Sequence, residues 1–238
     1  MITLSAINDL MFDSFTISRV LVIGPKRVIS DTWPAEIRKW DHLRNLDYAI
    51  AAGTVKQRVS ALNASASITL ISRDNVKWLV EYYARYNLPW DFDMVVIDEL
   101  SSFKSHQSQR FKALRSVRPR IRRIVGLTGT PSSNGLMDLW AEIGILDQGQ
   151  RLGRFIGRYR EAYFKVGSMN PQNGIVFKYV PRAGAEEQIY QKISDITISM
   201  KALDYLDMPE IVYNHYEVEL SERERRLYDQ LESDLLIP

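Results

Sequence analysis

The 238-residue chain contains no cysteine, which excludes disulfides and thiolate metal sites and is compatible with a reducing compartment. Histidine is scarce: His42, His106 and His215 lie far apart, without metal-ligand spacing, so no zinc centre is expected. No apolar run approaches the roughly 20 residues of a membrane-spanning helix. The first residues lack the basic start and apolar core of a secretory signal. An excess of one charge is also missing. Thirty-one basic and 29 acidic residues leave a net +2, so any attraction to a polyanion must come from local patches. There is no Gly-x-Ser-x-Gly elbow, which counts against an α/β-hydrolase.

What is present is an alternation of two textures. Short apolar runs, "VLVIG" (Val20 to Gly24), "ITLIS" (Ile68 to Ser72), "MVVID" (Met94 to Asp98) and "RIVGLTG" (Arg123 to Gly129), read as strands. "DYAIAAG" is a weaker strand signal. Between them lie helical patterns: "ITLSAINDLMFDSF", "SDTWPAEIRKW" with Pro34 in a first turn, "VKQRVSALN", "NVKWLVEYYARY" and "SQRFKALRSV". Such alternation predicts an α/β fold, a mostly parallel sheet with helices on both faces and right-handed crossovers. Ligands of these sheets sit beyond the carboxyl ends of the strands. That directs attention to the strand tails "GPKR", "SRDN", "DELSSFK" and "TGTPSSN".

After Asp147 the texture changes, and a boundary is placed between residues 1–147 and a helical/strand extension, 148–238. "RLGRFIGRYR" reads as a helix whose Phe155, Ile156 and Tyr159 pack while its arginines stay solvated. "IVFKYVP" and "IVYNHYEVEL" read as strands, "AEEQIYQKISDI" and "SMKALDYL" as helices. Ser221 and Glu224 have capping-box spacing, so a helix should start near Glu222. The cluster "RPRIRR" (Arg118, Arg120, Arg122, Arg123) precedes a strand at its amino end and is read as a solvated face.

Two tails carry the chemistry. Asp98 and Glu99 end an apolar strand; the first acid can hold a metal-bound water and the second can polarise an attacking water. A pair that merely opens a solvated loop is the competing reading of that stretch alone. Thr128 and Thr130 flank Gly129 at the next strand end, where small hydroxyls can hydrogen-bond strand-end carboxylates. Taken alone, that stretch is an ordinary Gly/Thr/Pro turn.

Together, "VVIDELSSFK" and "GLTGTPSSNGLMDLWAEIGIL" resemble motifs II and III of the Swi/Snf-type helicase-like ATPases of superfamily 2. "VLVIGPKRVISDTWPAEIRKW" is similar to motif Ia, "ITLISRDNV" to the next nucleic-acid-facing motif, and "DMPEIVYNHYEVELSERERRLYDQL" to the segment leaving the first motor lobe. The resemblance implies the first RecA-like lobe of a P-loop NTPase that uses ATP and Mg²⁺ and contacts the DNA backbone, in the cytoplasm of a bacterial or virus-infected cell. It implies that Asp98 orients Mg²⁺ through water and that Glu99 is the general base. Ser101, Thr128, Gly129 and Thr130 would couple the site to movement. Pro25, Lys26, Arg27, Ser72, Arg73 and Lys104 would face nucleic acid.

The sequence departs from the family pattern at three places. Ser101 stands where a histidine often links the ATP site to motif III, and a serine can still hydrogen-bond. Before the proline of the tail, Lys201 stands where the family carries paired arginines. No GxxxxGK[ST] run occurs, and its amides and lysine are what cradle phosphates. "ITLSAINDL" resembles the helix that such a loop opens. The expectation is therefore a lobe lacking its phosphate loop, one strand and its partner lobe, and inactive by itself. A non-catalytic nucleic-acid or protein interaction module derived from such a lobe is the alternative.

Overall fold

The computed structural model describes residues 1–129, 135–200 and 214–235. Two compact units are present, Met1–Thr197 and Ile198–Pro238.

The first unit is built on a five-stranded parallel sheet. Its strands are β1 (Val20–Gly24), β2 (Tyr48–Ala51), β3 (Ile68–Ser72), β4 (Met94–Asp98) and β5 (Arg123–Leu127), in the order β2-β3-β1-β4-β5. The three central strands are almost wholly buried because helices cover both faces, which is why they read as unbroken apolar runs. Side-chain alternation divides them between two cores. Val20, Val22, Ile68, Leu70, Met94 and Val96 face one; Leu21, Ile23, Ile71, Val95 and Ile97 face the other.

The first core is closed by α1 (Ile2–Asn8), which continues as a π-helical turn through Asp13, and by α2 (Trp33–Lys39), entered through another π turn, Val28–Thr32. Pro34 lies in the first turn of α2, where its missing N–H is no loss. The second core is covered by α3 (Val55–Asn63), α4 (Val76–Arg85), α5 (Gln109–Val117), α6 (Leu136–Asp147), α7 (Ile156–Tyr163) and α8 (Ala185–Ile193). Thr54 and Gln57 form a capping box at the start of α3. A two-stranded antiparallel hairpin, β6 (Phe164–Met169) and β7 (Val176–Pro181), follows α7.

Residues beyond the change of texture at Asp147 are tied back into this unit. The Asp147 carboxylate accepts from the Gly149 and Arg151 amides at 2.7 and 2.8 Å. Arg151 in turn grips Asp195 with two bonds of 2.8 and 2.6 Å. This fork-to-carboxylate geometry fixes orientation as well as charge.

Three expectations are corrected. Arg118 is no part of a solvated face: it is buried and donates from Nε to the Ile145 carbonyl at 2.8 Å, from Nη1 to the Ile121 carbonyl at 2.9 Å, and from Nη2 to the Leu146 carbonyl. Ile145 and Leu146 are in the last turn of α6, whose carbonyls have no partner within the helix, and a guanidinium is the natural donor there. Arg120, Arg122 and Arg123 are exposed as expected. Phe155 does not pack: it is 66% exposed, and Tyr159 fills the core instead. Within "IVYNHYEVEL", residues 214–220 form no strand, and 211–213 lie outside the described residues. No described strand pairs with 214–220, and an extended segment without a ladder has nothing to hold it. The "SMKALDYL" helix falls largely outside the described residues. In the second unit α9 (Glu222–Leu235) starts where expected, with Ser221 and Glu224 exchanging side-chain-to-amide bonds.

Candidate functional site

Because all five strands are parallel, their carboxyl ends share one edge. The register places Gly24 beside Ser72, Ile23 beside Ile97 and Asp98 beside Leu127. One edge thus collects Pro25–Arg27 after β1, Ser72–Arg73 at β3, Asp98–Glu99 at β4 and Thr128–Gly129 after β5.

Glu99 anchors the arrangement. It is half-buried, and its backbone is left-handed, with φ of 71°. A non-glycine residue held there carries strain, of a kind that clusters at functional sites. The turn swings its carboxylate toward the next strand. Ser101 donates to Glu99 Oε1, and Thr128 donates to the same oxygen at 3.3 Å. Ser101 and Thr128 thus meet on one Glu99 oxygen, and the bond that crosses to the β5 tail is the one from Thr128. Leu100 is buried beneath this turn, and it fits because residue 126 is glycine: a Cβ there would lie 2.6 Å from the Leu100 side chain.

Asp98, next to it, is held from the other face of the sheet. Trp33 Nε1 donates to Asp98 Oδ2 at 2.8 Å, across 65 residues of sequence. The two side chains line a cavity of about 170 Å³ with Thr3, Thr32, Glu36 and Leu127. Gly24 allows the close approach, since a Cβ at that position would lie 3.3 Å from Asp98 Cβ and 3.1 Å from Ile29.

The remaining expected residues are disposed as follows. Lys26 and Arg27 are exposed at the start of the helical segment after β1, and Pro25 is half-buried. Arg73 is half-buried, while Ser72 is buried and its hydroxyl accepts from the Asp74 amide at 3.3 Å, capping the turn Arg73–Asn75. Lys104 Nζ lies 3.8 Å from Asp138. Gly129 is exposed, and Thr130 lies outside the described residues.

A family model described as the SNF2-related domain matches residues 1–151, more than half of the chain. The chain belongs to the SNF2-related family. Similar proteins include "Putative protein p41" of Acyrthosiphon pisum secondary endosymbiont phage 1, 36% identical over 241 residues, covering 99% of this chain and 51% of that protein. "Uncharacterized ATP-dependent helicase MG018" of Mycoplasma genitalium is 25% identical over 234 residues, covering 94% of this chain and 20% of that protein. The chain thus spans about half the phage protein and a fifth of the mycoplasma one. Among solved structures, the Sulfolobus solfataricus SWI2/SNF2 ATPase core in complex with dsDNA matches with a TM-score of 0.59 at 22% identity, over 81% of this chain and 36% of that one. The sheet is that of a RecA-like SWI2/SNF2 lobe.

Within this SNF2-related lobe, Asp98 fits what Mg²⁺ requires of a protein. The ion keeps most of its waters and takes one or two carboxylates beside substrate phosphates. Trp33 engages Oδ2, which leaves Oδ1 as the candidate acceptor for a metal-bound water. No group of three acidic or histidine side chains among the described residues forms a metal cage of its own.

Two residues near the SNF2-related site were not singled out from sequence. Trp33 is one; nothing local to "SDTWPAEI" announces a bond to residue 98. Glu142 is the other. It is 1% exposed on α6, and neither of its carboxylate oxygens has a hydrogen-bond partner. Burial, the nearby Asp138 and Glu99 push its pKa up to about 8 against an opposing pull from Lys104. The signal was a lone acid at a core position four residues after Asp138 on an otherwise apolar helix face.

Proposed function

We propose that this chain is the first motor lobe, carrying the hydrolytic carboxylates, of an ATP-dependent translocase that moves along DNA. Residues 1–147 would form the RecA-like lobe, and 148–238 the extension leading toward a second lobe. The observation that carries the reading is the Glu99 carboxylate. It is fixed by Ser101 and Thr128 through one oxygen, beside Asp98, at the carboxyl edge of a parallel sheet.

Its chemistry follows from that arrangement. Glu99 Oε2 carries neither hydroxyl bond and draws a proton from the attacking water. Asp98 Oδ1 would hold a water of the Mg²⁺ that, when bound, neutralises charge on the phosphates. Thr128 links the base to the β5 tail, so a change in Glu99 protonation or position reaches the motif III loop. Lys26, Arg27 and Arg73 would meet DNA phosphates, with Pro25 and Ser72 shaping their turns and Lys104 beside them; the contact is independent of sequence. The structural relative, an ATPase core in complex with dsDNA, supports this assignment.

Two measurements test it. In the full-length gene product, Glu99→Gln should lower DNA-stimulated ATP turnover by at least 10²-fold while leaving DNA binding intact; retained turnover would remove Glu99 as the base. The 238-residue chain itself has no GxxxxGK[ST] run to cradle phosphates. Calorimetric titration with Mg-ATP should therefore give at most weak binding, and a micromolar Kd would overturn the view of this polypeptide as half a nucleotide site.

A further inference from the structure

Helix α4 carries two apolar stripes. Val76, Leu79 and Tyr83 are buried in the second core. Beside them Trp78, Tyr82 and Tyr86 follow one another at one-turn intervals, where a helix at a domain surface ordinarily turns polar side chains to water. Trp78 and Tyr82 are half-buried, and Tyr86 is 60% exposed. The Trp78 and Tyr82 rings stack with their centres 5.4 Å apart, and Tyr82 and Tyr86 meet at 4.9 Å. Eight residues at the helical rise make this a row of rings roughly 12 Å long.

Helix α3 supplies the other wall. Val55, 53% exposed, and Val59 line a groove of about 350 Å³ together with the three rings, Glu81 and Arg85. Arg58, also on α3, places its guanidinium 4.1 Å from the centre of the Trp78 ring. Glu81 is offset by Lys77 at 3.7 Å, so the charge left to a ligand is that of Arg58 and Arg85. Rings, valines and cations therefore belong to one concave surface.

The geometry of the row restricts what can lie on it. Neighbouring rings touch, so no slot remains between them for the flat face of a base. The Tyr82 and Tyr86 hydroxyls and the Trp78 indole nitrogen bond to nothing among the described residues, and each is a donor. The complement of an apolar row bordered by donors is an extended, rigid, apolar stretch of chain with its carbonyls turned outward. A polyproline II helix has that form. It makes no internal hydrogen bonds, so its carbonyls are free, and its preset backbone has little freedom to lose on docking into an aromatic groove. The two arginines match acids among the prolines.

We propose that the α3–α4 groove is a docking site for a proline-rich, acidic segment of a partner protein. Prolines lie on Trp78, Tyr82 and Tyr86, their carbonyls accept from the ring donors, and the acids meet Arg58 and Arg85. The site shares no residue with the Asp98–Glu99 edge.

The test uses the 238-residue chain and a fluorescein-labelled peptide of Pro-Pro-Glu repeats, read by anisotropy. Binding with a micromolar Kd is expected. Tyr86→Ala and Arg85→Glu, both at exposed positions, should each weaken it by about tenfold, and Tyr86→Phe, which keeps the ring, should weaken it less than Tyr86→Ala. Thermal unfolding checks that each variant keeps its stability; should Tyr86→Ala lose it, Arg85→Glu and Tyr86→Phe decide. Three further probes separate the components of the site. Pro-Pro-Lys repeats should not bind, and Gly-Gly-Glu repeats of equal charge should bind far more weakly. Unlabelled Pro-Pro-Glu peptide should displace the label better than single-stranded oligo-thymidine does. No binding by the wild-type chain, or equal binding by wild type, Tyr86→Ala and Arg85→Glu, would overturn the site. Equal affinity for Gly-Gly-Glu would overturn the assignment to proline. Displacement by oligo-thymidine at lower concentration than by the peptide would make the groove a nucleic-acid surface and overturn the assignment to a protein partner.

Discussion

Replacing Glu142 by glutamine should leave stability nearly unchanged at pH 4 and raise it at pH 8.5 by about 3 kcal/mol or more, read by urea denaturation. The sign follows from where the proton resides. In the folded chain burial first, then Asp138 and Glu99, raise the Glu142 pKa to about 8 against its ordinary 4.5, with Lys104 opposing. Between those two values the folded protein holds a proton that the unfolded chain has released. Stability is therefore greatest below the lower value, declines as pH rises, and levels off once the folded carboxyl has ionised. Glutamine is neutral throughout and removes that decline. Leucine goes further. It also removes two buried oxygens that have no hydrogen-bond partner, so Glu142→Leu should gain roughly 1–2 kcal/mol even at pH 4. A flat pH profile in the wild-type chain would sink the account.

Arg118→Ala should cost about 3–5 kcal/mol, because three carbonyls lose a charged, buried donor at once. Two of those carbonyls terminate α6, the helix that carries Asp138 and Glu142, so fraying should start there. Arg118→Lys should recover only part of the loss, since an ammonium lacks the planar fork that reaches all three. Arg120→Ala, two residues away and exposed, should change stability by no more than about 0.5 kcal/mol. Equal effects at 118 and 120 would mean that the arginine cluster is a solvated face after all.

These two residues mark where sequence reading stops. Apolar runs such as "VLVIG" and "MVVID" disclose central parallel strands because burial on both faces leaves no other composition. From those strands the ligand edge follows, and with it the neighbourhood of Asp98, Glu99 and Thr128. A capping box, as at Ser221, is a local hydrogen-bond pattern and can be read directly. Arg118 looks identical to Arg120 in sequence, and only the arrival of the α6 terminus separates them. Phe155 lies next to residues that pack, but sequence proximity does not say what a side chain meets. "IVYNHYEVEL" has the composition of a strand, yet a ladder requires a second strand. The Trp33–Asp98 bond joins elements 65 residues apart, a separation at which periodicity carries no information.

That last bond gives the chain an optical property of its own. Indole emission responds to the charge and water around the ring nitrogen, and the Trp33 nitrogen ends on a single carboxylate oxygen of Asp98. Trp33 is 7% exposed, so bulk solvent contributes little to its spectrum. The chain has four other tryptophans, at positions 40, 78, 90 and 140. With those four replaced by phenylalanine, one fluorophore would remain, hydrogen-bonded to the Asp98 carboxylate. Changes at Asp98 could then be followed in real time, without an added label and without waiting for turnover.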